Sequence, residues 1–224
     1  VATLVISPHL DDAVLGCGTW LAAHPDSVVV TLFAGAPPRN MVTPWDLRCG
    51  FSNAGSAMAA RREEDRRALA CLGATPVWLD FCDSQYECTP TVPDLAAALQ
   101  EALRRHSPAQ VLYPLGLYHS DHLLAHAACR LALAGMESLA YEDALYRGMP
   151  GMLQHRLADL EAHRIQATPA RVSPTQAFDI ASAARAKAKA VQAYASQLRG
   201  FGPGGYDDAA QPERCWRLQE HRDA

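Results

Sequence analysis

Four short apolar runs are each followed by an Ala/Leu-rich or polar stretch long enough for a helix. This alternation constrains the fold more than any other feature of the chain. The runs cover residues 3–6, 27–33, 76–80 and 110–114. They are almost unbroken in apolar character, as parallel strands covered on both faces must be. The intervening patterns predict helices over residues 12–23, 54–72 and 92–106, and from Asp121 to Ala134, where Gly135 supplies a stop. A last Ala-rich helix is expected over residues 181–198. Strands alternating with helices predict an α/β fold, a Rossmann-like, doubly wound, mostly parallel sheet with helices on both faces. A length of 224 residues suits one such domain. A small C-terminal subdomain is expected from about residue 150, after the bend at Met149-Pro150-Gly151.

The first strand runs straight into Pro8-His9-Leu10-Asp11-Asp12-Ala13, and the fourth into His119-Ser120-Asp121-His122. Open α/β sheets build their sites at the carboxyl ends of strands. His9 and Asp12, three positions apart, can reach one divalent cation and leave Asp11 free to handle a proton. One histidine of the second cluster completes a three-donor N/O set with open positions, which suits a catalytic zinc or a non-haem ferrous ion. Successive residues at a helix start point about 100° apart, so Asp11 and Asp12 cannot easily share the ion. Taken singly, His9 reads as a helix-entry histidine bonded to a carbonyl and Asp12 as an N-cap. The two clusters together favour the metal. His126, one turn after His122, is a competing ligand whose bland reading is a partly buried helix histidine.

The two clusters resemble those of the PIG-L/LmbE-like family of metal-dependent N-deacetylases, which carries His-Pro-Asp-Asp-Glu after the first strand and His-x-Asp-His later. Three further stretches are similar to that family: Arg61-Arg62-Glu63-Glu64 leading to Leu72-Gly73, Phe81-Cys82-Asp83-Ser84, and Lys189 through Tyr194 to Ser196-Gln197. Leu10 and Ala13 depart from its Pro and Glu, and neither lost residue would be a ligand. The resemblance implies that His9, Asp12 and His122 hold one divalent metal, zinc first and ferrous iron second. It implies that Asp11 is the general base for a metal-activated water attacking an amide carbonyl. It leaves His119, oriented by Asp121, to stabilise the oxyanion and protonate the leaving amine. Arg61, Asp83 and Ser84 would meet the substrate, with an exposed Arg61–Glu64 ion pair and ordinary turn chemistry as the alternatives. The implied activity is removal of the acetyl group from an N-acetylated amino sugar or glycoside. A same-family amidase acting on another amide, such as a thiol conjugate, is the alternative. A non-catalytic binding domain is less favoured.

Composition narrows the remaining classes. The net charge is −4, and the basic cluster Arg61, Arg62, Arg66, Arg67 is interleaved with Glu63, Glu64 and Asp65. A nucleic-acid partner is therefore not expected. Gly16-Cys17-Gly18 lies inside a helix and has Leu21 where a dinucleotide fingerprint needs its third glycine. Seven cysteines without a C-x-x-C spacing read as reduced thiols. No apolar run approaches the ~20 residues of a membrane span, and no signal-peptide pattern opens the chain. A cytoplasmic enzyme acting on a small molecule is expected, with self-association left open. Residues 35–53 and 200–212, rich in Gly and Pro, are expected to line the mouth of the site.

Overall fold

In the computed structural model, residues 3–170 and 179–221 are described. The strands are β1 (Thr3–Ser7), β2 (Val28–Thr31), β3 (Thr75–Trp78), β4 (Gln110–Pro114), β5 (Ser138–Tyr141), β6 (Ile165–Ala170) and β7 (Cys215–Glu220). The helices are α1 (Asp12–Ala23), α2 (Pro44–Arg48), α3 (Ala54–Ala70), α4 (Val92–His106), α5 (Ser120–Ala132), α6 (Met152–Ala162), α7 (Ile180–Val191) and α8 (Ala195–Phe201). The strands form one sheet in the order β3-β2-β1-β4-β5-β7-β6. The first five in that order are parallel, and β7 runs antiparallel to both β5 and β6. This is the doubly wound α/β architecture expected from the alternation.

Strand side chains alternate between two core layers, as a pleated sheet requires. Leu4, Ile6, Val28, Val30, Val111 and Tyr113 pack with α4 and α5 on one face. Val5, Val29 and Leu112 pack with α1, α3 and α7 on the other. Because β1 lies between β2 and β4, the chain leaves β1 to one side first and returns on the other. That reversal opens a crevice at the carboxyl ends of β1 and β4.

The structure departs from expectation mainly after residue 134. Residues beyond Pro150 add β6 and β7 to the same sheet rather than forming a layer of their own. Strand β6 sits at the sheet edge, which is where its Pro169 can be tolerated. The expected helix over residues 181–198 is two helices. Tight turns from Ala193 to Ala190 and from Tyr194 to Val191 separate them. The break swings Tyr194 inward, where its hydroxyl donates to Asp65 at 2.7 Å. All seven cysteines are free.

Helix α1 is itself broken at Cys17, whose φ of −133° and ψ of 15° are not helical. The break frees backbone N–H groups in the second half of the helix. Glu213, just before β7, accepts from Thr19 N at 2.7 Å and Trp20 N at 3.0 Å. Lys187 of α7, itself buried, donates to the same carboxylate at 2.8 Å. Gly16 and Gly18 permit this closeness. A Cβ on Gly18 would lie 2.6 Å from Lys187 Cγ, and one on Gly16 would lie 2.9 Å from the Tyr141 ring. The glycines thus serve helix packing and not phosphate binding. Gly18→Val should destabilise the fold by about 1–3 kcal/mol through overpacking, measured as a lowered urea midpoint with unchanged slope.

Candidate metal and catalytic site

The turn between β1 and α1 is tied by its own polar groups. Ser7 Oγ donates to the His9 carbonyl at 2.6 Å and accepts from Ala13 N at 2.9 Å. The backbone N–H of His9 donates to Asp12 Oδ2 at 2.8 Å. The N-cap of α1 is Asp11, not Asp12, yet the Asp11 side chain makes no capping hydrogen bond. Its carboxylate instead accepts from Gln197 Nε2 at 3.3 Å. The two neighbouring carboxylates therefore face different partners, as helical geometry demands.

Asp12 Oδ2 lies 3.2 Å from His9 Nδ1 and 3.2 Å from His122 Nε2. Donor atoms of His9, Asp12 and His122 all lie within 4.8 Å of one another. Neighbouring ligands of a tetrahedral zinc with bonds of about 2.0 Å are separated by about 3.3 Å. His122 Nε2 is fully buried and has no hydrogen-bond partner among the described residues. A buried ring nitrogen that makes no well-formed hydrogen bond and faces the Asp12 carboxylate at 3.2 Å fits a divalent metal ligand. The far nitrogens of both rings are anchored. His9 Nε2 lies 3.0 Å from Asp121 Oδ2, and His122 Nδ1 lies 2.5 Å from Asp143 Oδ1. Metal-ligating histidines almost always carry such a carboxylate or carbonyl partner.

His119 is the N-cap of α5, and its Nδ1 accepts from the backbone N–H of Asp121 at 3.2 Å. A neutral ring then carries its proton on Nε2. The Asp121 carboxylate lies 4.0 Å from His119 Nδ1. It is engaged instead by His9 and by the backbone N–H of Ser84 at 3.0 Å. Asp121 thus holds His119 through its backbone N–H, while its carboxylate holds His9.

The substrate-side residues fare unevenly. Arg61 is buried, not exposed, and pairs with Asp46 at 2.9 Å and the Tyr86 hydroxyl at 3.3 Å. Glu64 accepts from Ser196 N and Oγ at 2.9 and 2.6 Å, so no Arg61–Glu64 pair forms. Arg61 Nε has no partner among the described residues. Asp83 caps a short 3-10 turn, Ser84–Tyr86, by accepting from Gln85 N at 3.0 Å, and it also lines the cavity. Ser84 contributes its backbone N–H and does not line the cavity. That cavity, about 290 Å³, is walled by His9, Asp11, Asp12 and His119 on one side and by Trp45, Tyr146 and Phe201 among others. Residues 35–53 reach it through Trp45 of α2. Residues 200–212 reach it only through Phe201, while Asp208 further on pairs with Arg147 at 2.8 Å.

The charges at the centre push neighbouring groups in opposite directions. Burial, then the charge of Asp12, raises the Asp11 carboxyl to about 7. Burial opposes charge on Asp12, but His122 and His9 outweigh it and hold that carboxyl well below its usual range. Burial likewise opposes charge on His122, yet Asp12 and Asp143 raise it to about 9. Burial, with His9 and His122 beside it, lowers His119. Sequence reasoning missed Asp143, Tyr146 and Asp46, and placed Gln197 only by resemblance. Asp143 follows a four-residue strand too short to stand out. A carboxylate just past an apolar run was its only signal.

His126 does not compete for the metal. No cluster of metal donors among the described residues includes it, and its Nδ1 lies 3.0 Å from the Pro114 carbonyl. Burial, then Arg156, lowers it to about 3. The unfolded chain takes up this proton near pH ~6.5, whereas the fold refuses it until about 3. The unfolded state binds more protons across that window, so His126 makes stability fall as pH falls through it. His126→Gln should flatten the decline between pH 6.5 and 4, read from urea unfolding at several pH values.

Comparison with known proteins places the chain beside several deacetylases. The chain is 28% identical over 217 residues to the 2'-N-acetylparomamine deacetylase of Streptomyces fradiae, covering 87% of this chain and 73% of that one. It is 26% identical over 226 residues to the diacetylchitobiose deacetylase of Thermococcus kodakarensis, covering 97% and 73%. The crystal structure of the A40926 pseudoaglycone deacetylase Dbv21 matches with a TM-score of 0.74 at 26% identity, covering 100% of this chain and 99% of that one. These relatives are deacetylases. The model of the PIG-L family, GlcNAc-PI de-N-acetylase, matches residues 4–133, more than half of the chain, and with the strand-end clusters inside that match the chain belongs to the PIG-L family of deacetylases.

Proposed function

We propose that this chain hydrolyses the acetamide of an N-acetylated amino sugar or glycoside, releasing acetate and a free amine. The observation that carries the reading is the two-histidine, one-carboxylate donor set, with His122 buried and His9 and Asp12 half-buried, and the non-capping carboxylate of Asp11 beside it. His9, Asp12 and His122 would hold one divalent ion, zinc before ferrous iron on donor chemistry. Such an ion supplies Lewis acidity, polarising the amide carbonyl and acidifying water.

The remaining work falls to side chains of this protein. Asp11 takes a proton from the attacking water as the new C–O bond forms. Asp11, raised to about 7 by burial and Asp12, would be ionised for that task once His9, Asp12 and His122 held a cation. His119 presents Nε2–H to the oxygen on which negative charge develops, the hydrogen-bond stabilisation that such acyl transfers need. Because burial and two histidines lower His119, it is a neutral donor. The proton for the departing nitrogen therefore comes from Asp11, which has just received one, as the C–N bond breaks. This revises the role of His119 as amine acid that the family resemblance implies. The rings of Trp45 and Phe201, with centroids 5.3 Å apart, provide an apolar wall that supports selection of the glycoside.

Amine release across a panel of N-acetylated sugars, paired with elemental analysis of anaerobically purified protein, tests the reading. Asp12→Ala should lose metal and activity together. Asp11→Asn should keep full metal occupancy and lose about 10²–10⁴-fold in kcat, the usual worth of a positioned general base. Near-normal turnover by a metal-replete Asp11→Asn protein would remove Asp11 from the mechanism.

A further inference from the structure

Asp143 stands at the end of β5 and is fully buried. Its carboxylate serves two neighbours at once. Oδ1 lies 2.5 Å from His122 Nδ1. Oδ2 accepts from Gly116 N at 2.8 Å and Leu117 N at 3.1 Å. Those two amides begin the turn that leads from β4 to His119. The turn is costly to hold at Tyr118, a non-glycine residue with a left-handed φ of +59°, two residues after Gly116 at +80°. A tight contact from His119 N to the Leu117 carbonyl, at 2.6 Å, closes it.

We propose that Asp143 is a positioning residue that fixes His122 as a metal ligand and, through its other oxygen, sets the turn that carries His119. The inference rests on the metal reading above. A carboxylate at Nδ1 draws the proton of a neutral His122 to that nitrogen and leaves the Nε2 lone pair facing Asp12 and His9. Partners of this kind typically change metal affinity by 10–100-fold when mutated. Asp143 is the only group hydrogen-bonded to both sides of this junction among the described residues. It therefore joins metal retention to the placement of the oxyanion donor.

Asparagine is the discriminating substitution, since it has one acceptor oxygen where Asp143 uses two. If its oxygen keeps Gly116 and Leu117, its amide N–H₂ faces His122 Nδ1 and drives the ring proton to Nε2, closing the metal donor. Zinc affinity of Asp143→Asn, read by competition with a chromophoric chelator, should fall tenfold or more. Tyr141→Phe is the control. It removes a buried hydrogen bond to the Ile6 carbonyl from the same strand, and zinc affinity should stay within threefold of the unmodified protein. A fall of less than tenfold in Asp143→Asn, or an equal fall in Tyr141→Phe, overturns the proposal. Should Asp143→Asn not fold, zinc-loaded unmodified protein with ¹⁵N-labelled histidine decides the matter. It should show a downfield Nδ1–H, slow to exchange and lost in His122→Gln, and its absence overturns the proposal. Unmodified protein that binds no zinc would instead sink the metal reading itself, so the two failures are distinguishable.

Discussion

The parallel pairing of β1 with β4, with Leu4 opposite Val111 and Val5 opposite Leu112, is the constraint from which the site follows. Paired strands lie about 4.8 Å apart, so the turns leaving their carboxyl ends must occupy one space. One turn brings His9, Asp11 and Asp12, and the other brings His119 and His122. A slip of one residue would carry every side chain of a strand to the opposite face. The apolar residues on both faces of β1 and β4 forbid that slip. The next neighbour, β5, then delivers Asp143 to the same edge. Three adjacent strands thus supply the proposed metal donors, base, oxyanion donor and anchor.

The electrostatics follow from packing these groups away from water. Isolated buried charges are expensive, and they are tolerated only when paired. Asp12 is paired with two histidines and stays ionised, whereas Asp11, buried beside the Asp12 charge and hydrogen-bonded by the Gln197 amide, is pushed towards neutrality. Adjacent carboxylates whose environments drive them apart suit the proposed division of labour between ligand and proton carrier. Asp46 balances charge in the same way, one layer further out. It accepts from both Arg61 and Tyr86, and so places a guanidinium deep in the cavity wall without leaving its charge unbalanced.

The first half of the fold was legible because β1, α1, α4 and β4 announce themselves by local pattern, and their bounds are read closely from residues alone. The strand-end histidines and aspartates were legible for the same reason, since each lies within a few residues of an apolar run. What stayed hidden depends on contacts between distant segments. Strand β5 is four residues long, β6 carries Thr and Pro, and β7 is amphipathic, so none has the apolar run of a central strand. The reach of Asp121 to His9, rather than to its neighbour His119, spans 112 positions. Burial of Arg61 against Asp46 was equally out of sight, because an Arg-x-x-Glu spacing looks the same on a solvated helix. The single helix expected over residues 181–198 failed on a tertiary preference: Tyr194 turns inward to meet Asp65.

The bridge from Glu213 to the broken middle of α1 has a consequence for how the protein is made. The helix that begins with Asp12 leaves the ribosome long before the carboxylate that satisfies its Thr19 amide, which lies 194 residues later. At about 5–20 residues per second, that helix waits roughly 10–40 s for its partner. A product that terminates early, before Glu213, would carry every proposed metal donor in its sequence and still lack the segment that closes the helix bearing one of them.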